Sequence, residues 1–254
     1  MILFDSHCHL QDRRYGSVRE IIGRARESGV ANMVCSAVNE SDWKQVRSIA
    51  HSYPEVIPSF CMHPMYLQNR TGGWLERMEE LLKVEARAGV GEIGIDRWDK
   101  RFNDQEQRDI FIDQLMLAKR LNRPVSIHCR KAWGQLIDIV RRTGLPGTGA
   151  MIHSYSGGPD LVVQLEKLGF YISFSGSVTR DRNHKGREAV KVVSSERLLI
   201  ETDAPDMLPA DAPGELNEPS FIRFTAESIA VLRGVTVEEI AVLTTENANR
   251  LFLL

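Results

Sequence analysis

The chain has 254 residues, a formal net charge of −2, and 43% hydrophobic and 26% charged residues. That length suits one large α/β domain spanning 1–254. The near-neutral charge excludes a protein held on long duplex nucleic acid by a general basic field. No run reaches the roughly 20 apolar residues of a membrane span. The start lacks the basic, then apolar, order of a signal peptide, so the expectation is a cytoplasmic protein.

Taken in chain order, short apolar β-rich runs alternate with helix-compatible stretches. The first run, 2–4, leads into Asp5-Ser6-His7-Cys8-His9, followed by helical periodicity over 18–27. Run 32–38 precedes a helix over 43–51, and run 56–62 ends just before His63 and a helix over 74–88. Run 90–95 contains Glu92 and is followed by Asp96, then a long helix over 104–121. Runs 125–128 and 150–153 end in His128 and His153, with helices over 132–142 and 160–168. Run 170–174 is followed by a less regular helical pattern over 187–193. The last run, 197–202, ends before Asp203. Helices over 221–232 and 237–243 follow, with a final piece ending at 249–254. Glycine or proline marks many joins, as at Gly29, Gly89, Pro124, Gly144 and Gly169.

Eight such repeats imply parallel pairing through right-handed crossovers, and in a chain of this size they fit a (β/α)8 TIM barrel. The rival is an open doubly wound sheet, which usually has a glycine-rich phosphate loop after its first strand. Here the first run ends in His7-Cys8-His9 instead. The four cysteines, Cys8, Cys35, Cys61 and Cys129, form no Cys-x-x-Cys motif and all lie in strand-like runs. They read as small buried thiols in a reducing compartment.

Five of the seven histidines fall at the carboxyl ends of predicted strands: His7, His9, His63, His128 and His153. Glu92, Asp96 and Asp203 join them. His51 and His184 fall in a helix and a loop and read as solvent-facing. Any one of the eight could be a hydrogen-bonded core residue or a cap. As a set they converge, because a barrel delivers all its strand ends to one mouth. Histidines one residue apart at a strand end point the same way. Four histidines and two carboxylates exceed the needs of one tetrahedral zinc, but they suit two metals about 3.5–4 Å apart. Glu92 is the natural bridge, since its run lies between the His7/His9 side and the His128/His153 side. Asp203 suits a terminal ligand that also accepts a proton from the attacking water. Imidazole with carboxylate favours zinc, manganese or cobalt over an all-oxygen magnesium site.

These residues resemble the TatD family of metal-dependent deoxyribonucleases, among the amidohydrolase-like barrels. The resemblance lies in Asp5-Ser6-His7-Cys8-His9-Leu10, Met62-His63-Pro64, Gly91-Glu92-Ile93-Gly94-Ile95-Asp96 and His128-Cys129-Arg130. It continues through His153-Ser154-Tyr155-Ser156-Gly157, Glu201-Thr202-Asp203-Ala204-Pro205, Asn217-Glu218-Pro219 and Thr245-Glu246-Asn247 with Arg250-Leu251-Phe252, in family order. It implies His7, His9, Glu92 and Asp203 around one divalent metal, and Glu92, His128 and His153 around a second. The ions would be zinc, manganese, cobalt or magnesium. It puts His63 near the substrate phosphate and makes Asp203, with Glu92, the catalytic pair. Arg130, Arg97 and Lys131 could contact phosphate. The implied activity is phosphodiester hydrolysis, as a 3'-5' exonuclease on single-stranded or nicked DNA ends, without membrane or obligate protein partner. The alternative is hydrolysis of an ester or amide such as D-aminoacyl-tRNA or a lactone by the same site. Cys61, Arg97-Trp98, Lys131 and Ser154-Tyr155 depart from the usual family residues. They surround the substrate rather than the metals, with Trp98 either packing at the mouth or stacking on a base.

Overall fold

The computed structural model describes residues 1–98 and 103–253. Eight parallel strands pair in sequence order: β1 (Leu3–Cys8), β2 (Val30–Ser36), β3 (Val56–Phe60), β4 (Gly89–Asp96), β5 (Val125–Arg130), β6 (Ala150–Ile152), β7 (Phe170–Phe174) and β8 (Leu198–Ile200). A parallel bridge between Cys8 and Ala204 joins the first strand to the segment after the last. The fold is a (β/α)8 TIM barrel, as the alternation predicts.

The crossover helices are α1 (Val18–Glu27), α2 (Glu40–Ser52), α3 (Trp74–Val84), α4 (Asp104–Arg120), α5 (Trp133–Thr143), α6 (Pro159–Lys167) and α7 (His184–Val192), and α8 (Ile222–Arg233) comes after the last strand. A final helix, α9 (Val237–Phe252), follows. Each buries one apolar stripe, as Leu136, Ile137, Ile139 and Val140 do on α5. Local chemistry shifts several predicted boundaries. The strand 2–4 extends to Cys8, so His7 lies inside β1. The Asn39 side chain accepts the Ser41 amide and starts α2 three residues before the predicted 43. The two expected C-terminal pieces are one helix, with position 254 outside the described residues. The periodicity lapses there because Thr244 and Asn247 are polar, yet both are buried. Asn247 Nδ2 donates to the carbonyls of Ser195 and Leu198, at 2.7 and 2.8 Å, pinning α9 beneath β8.

A separate apolar cluster gathers Phe4, Ile57, Met151 and Leu199 from the strands with Leu251 and Phe252 of α9, Phe4 stacking on Phe252 at 5.7 Å. This end of the barrel is therefore filled with hydrocarbon. The polar residues collect at the other end, where the strands finish. The four cysteines are free and buried, as expected. His184 opens α7 rather than lying in a loop and is exposed. His51 is also exposed, but it contacts Glu85 at 3.0 Å.

Candidate metal centre

The barrel's closure builds the first part of the site. Asp203 N donates to the His7 carbonyl at 2.9 Å, and His9 N donates to the Ala204 carbonyl at 2.8 Å. The end of β1 is thereby locked beside the segment after β8. Asp203 takes a left-handed backbone with φ 56°, uncommon away from glycine. Glu92 rises from the middle of β4, His128 from β5 and His153 from the residue after β6. All line, or lie just beneath, one cavity of about 520 Å³, whose wall includes His9, His63, Glu92, His128, His153 and Asp203.

The two oxygens of Glu92 face different partners. Oε1 lies 2.6 Å from His128 Nδ1, 2.9 Å from His153 Nε2 and 3.2 Å from His63 Nε2. Oε2 lies 3.2 Å from His7 Nε2 and 3.7 Å from His9 Nε2. Asp203 Oδ1 completes the His7/His9 side, 3.7 Å from His9 Nε2. Donor atoms of His7, His9 and Glu92 cluster tightly enough to hold one ion, as do those of His63, Glu92 and His128. A third such set is His7, His153 and Asp203. The structure thus contains two His/carboxylate clusters capable of holding divalent metals, and they share Glu92.

The outer nitrogens of the rings decide which inner nitrogens are free. His9 Nδ1 faces the Ser36 carbonyl at 2.7 Å, which can only accept, so the ring proton sits there and Nε2 keeps its lone pair. His153 Nδ1 donates likewise to Glu201 Oε1 at 2.9 Å. His128 is turned the other way. Its Nε2 donates to Asp96 Oδ2 at 2.9 Å, leaving Nδ1 toward Glu92. His7 Nδ1 meets the hydroxyls of Ser126 and Ser36, at 3.1 and 3.3 Å. His63 has the opposite polarity. Its Nδ1 accepts the Met65 amide at 3.1 Å, which places the proton of the neutral ring on Nε2, facing the centre. As neutral rings, His9, His128 and His153 turn a lone pair to the cavity, whereas His63 turns a hydrogen-bond donor to it.

Charge gives an independent test of fit. Asp5, Glu92, Asp96, Glu201 and Asp203 are all buried, and no lysine or arginine is buried among the described residues. Glu201 Oε2 has no hydrogen-bond partner among the described residues. Uncompensated buried carboxylates are costly, and divalent cations at the imidazole lone pairs supply the missing charge. Burial drives the His7 pKa down to about 4, assisted by the neighbouring His153 charge. Burial acts the same way on His9, but the Asp203 and Glu92 carboxylates prevail and raise it to about 9; the second proton this adds at Nε2 is the one a metal ion there would displace. Burial would raise Glu92, yet the His153 and His63 imidazoles hold it well below the usual carboxylate range. Burial lifts Asp5 to about 7 despite its bonds from Thr202 and His7.

Sequence reasoning brought His7, His9, Glu92, His128, His153 and Asp203 to one place, and it gave no role to their supports. Glu201 is visible only as part of a motif, and Ser36 and Ser126 carry no signal. Asp96 stood among the strand-end candidates without a partner. At the rim, Trp98 is 56% exposed, with the Arg130 guanidinium 4.0 Å and the Lys131 ammonium 3.9 Å from its ring centroid. Arg97 pairs instead with Asp104 at 3.1 Å.

A profile of the TatD related DNases matches residues 4–253. The chain belongs to the TatD family. It is 36% identical, over 99% of both chains, to an uncharacterized metal-dependent hydrolase of Bacillus subtilis, YabD. It is 33% identical to the 3'-5' ssDNA/RNA exonuclease TatD of Erwinia tasmaniensis, over 98% of this chain and 99% of that protein. The crystal structure of YJJV, a TatD homolog from Escherichia coli K12, superposes with a TM-score of 0.94 at 28% identity, covering 99% of this chain and 98% of that one. The protein is a metal-dependent hydrolase. Among the described residues, no helix is long and apolar enough to cross a membrane.

Proposed function

We propose that residues 1–254 form one catalytic unit, a two-metal phosphodiesterase that removes nucleotides from single-stranded DNA ends in the 3'-5' direction. The observation that carries this reading is Glu92, with one oxygen toward His128 and His153 and the other toward His7 and His9. His7, His9, Glu92 and Asp203 would hold one ion, and Glu92, His128 and His153 the other. When bound, the ions supply a nucleophilic oxygen from water and neutralise charge on the phosphate.

The chain's own residues do the rest. Asp203, at the edge of the His7/His9 side, accepts the proton of the attacking water. His63 Nε2–H donates to a phosphate oxygen, because its tautomer is set by the Met65 amide. Arg130, two residues beyond His128, and Arg13, on the cavity wall, would meet flanking phosphates. Exposed Trp98 offers a face on which an unpaired base can stack. The near-neutral net charge suits end-on action, since few phosphates need be neutralised. The identity to the Erwinia exonuclease supports the choice of nucleic acid and polarity.

The test is a side-by-side assay of 3'- and 5'-labelled single-stranded DNA, a D-aminoacyl-tRNA and simple lactones, with manganese, cobalt, magnesium or zinc. Stepwise loss of nucleotides from the 3' end is expected. Cleavage of the aminoacyl ester with every phosphodiester intact would overturn the nuclease reading.

A further inference from the structure

The two sides of the centre differ in what stands behind their histidines. On the His7/His9 side the outer nitrogens meet neutral groups, the Ser36 carbonyl and the Ser126 and Ser36 hydroxyls. On the His128/His153 side each outer nitrogen meets a buried carboxylate, Asp96 Oδ2 and Glu201 Oε1, both at 2.9 Å. An imidazole between an anion and a cation is a stronger ligand than one backed by a neutral acceptor. The anion also fixes which nitrogen keeps its lone pair. We propose that Asp96 and Glu201 are positioning residues that govern the second metal position selectively, through His128 and His153, and leave the first position largely untouched. This rests on the two-ion reading above.

Both carboxylates are held for this role. Asp96 Oδ1 accepts the Trp98 amide at 2.7 Å, while Gln107 brackets the Asp96 backbone, accepting its N–H at 2.7 Å and donating to its carbonyl at 3.0 Å. Turning the Asp96 side chain away from His128 therefore costs its bond from the Trp98 amide, while Gln107 fixes the backbone it hangs from. Glu201 is fully buried, and the Ser154 amide donates to the same Oε1 that receives the His153 proton. Its Oε2 has no hydrogen-bond partner among the described residues, so a positive charge on or beyond His153 is favoured. The carboxylates also choose different nitrogens, Nδ1 of His128 and Nε2 of His153, as the ones facing Glu92.

Zinc titration of the metal-free chain against a chromophoric chelator tests this. The parent is expected to take two zinc ions. Asp96→Asn and Glu201→Gln should each weaken one of the two by roughly 10–100-fold and leave the other at its parent affinity. Manganese paramagnetic resonance gives a second readout. The exchange-coupled signal of a pair should give way to that of a single ion at the same manganese concentration. A purely structural role for the carboxylates would lower both affinities together. Should Asp96→Asn fail to fold, Glu201→Gln carries the same comparison. If the parent takes two ions and the folded variants match it, or lose both equally, this inference is overturned alone. A parent that takes only one overturns the two-ion reading and this inference with it.

Discussion

At the scale of single residues, the assignments separate by what each substitution does to metal and to turnover. Glu92 has an oxygen toward each side, so Glu92→Gln should lower occupancy at both positions. His153→Ala should chiefly empty the second. Elemental analysis of dialysed protein checks both, and two full equivalents of metal in Glu92→Gln would remove Glu92 as the bridge. Asp203→Asn should reduce turnover by about 10²–10⁴-fold in a sample whose metal content is measured, since a general base contributes about that much. Near-parent turnover with metals retained would end the water-activation role. If the protonated Nε2 of His63 donates to the phosphate, as proposed, rather than ligating metal, His63→Ala should raise KM for a short oligonucleotide more than it lowers kcat. A loss of bound metal in that variant would count against the tautomer argument.

At the scale of elements, the pairing of β4 with β5 carries the site. Gly94 sits opposite His128 in that register with φ 148°. A Cβ there would lie 1.9 Å from the His128 carbonyl oxygen, a backbone atom that cannot rotate away. Gly94→Ala should therefore force the strands apart, with a loss of about 2–4 kcal/mol in urea unfolding, and should shift His128 enough to weaken metal binding. Unchanged stability would contradict the observed register. α9 offers a parallel test. Asn247→Ala leaves the Ser195 and Leu198 carbonyls without their donor, a cost of about 1–3 kcal/mol in the same measurement.

At the scale of the whole molecule, the barrel gathers buried carboxylates with no buried lysine or arginine among the described residues. Metal should thus be a large part of its stability. At a thousandfold excess over Kd, one bound ion adds about 4 kcal/mol. Scanning calorimetry with and without EDTA should show the melting temperature falling by several degrees on metal removal, for a chain of this size. Readdition of zinc or manganese should restore it. An identical melting temperature in both conditions would mean that the carboxylates are neutralised in some other way.

The sequence by itself determined the barrel and the ligand types. Strand–helix alternation reports which faces are buried, and each repeat is local enough to leave its period in the chain. Placing histidines and acids at strand ends was then sufficient to bring His7, His9, Glu92, His128, His153 and Asp203 together, because the topology sends every strand end to one mouth. What only the tertiary structure decided was direction and support. The proton positions on His63 and His128 depend on groups two to thirty-two residues away, the Met65 amide and Asp96. Glu201 meets His153 across 48 residues, and Ser126 meets His7 across 119. Such contacts leave no period in the sequence, since they arise where strands remote in the chain lie side by side. The same physics hid the continuity of α9, whose polar Asn247 is buried because β8 supplies its acceptors.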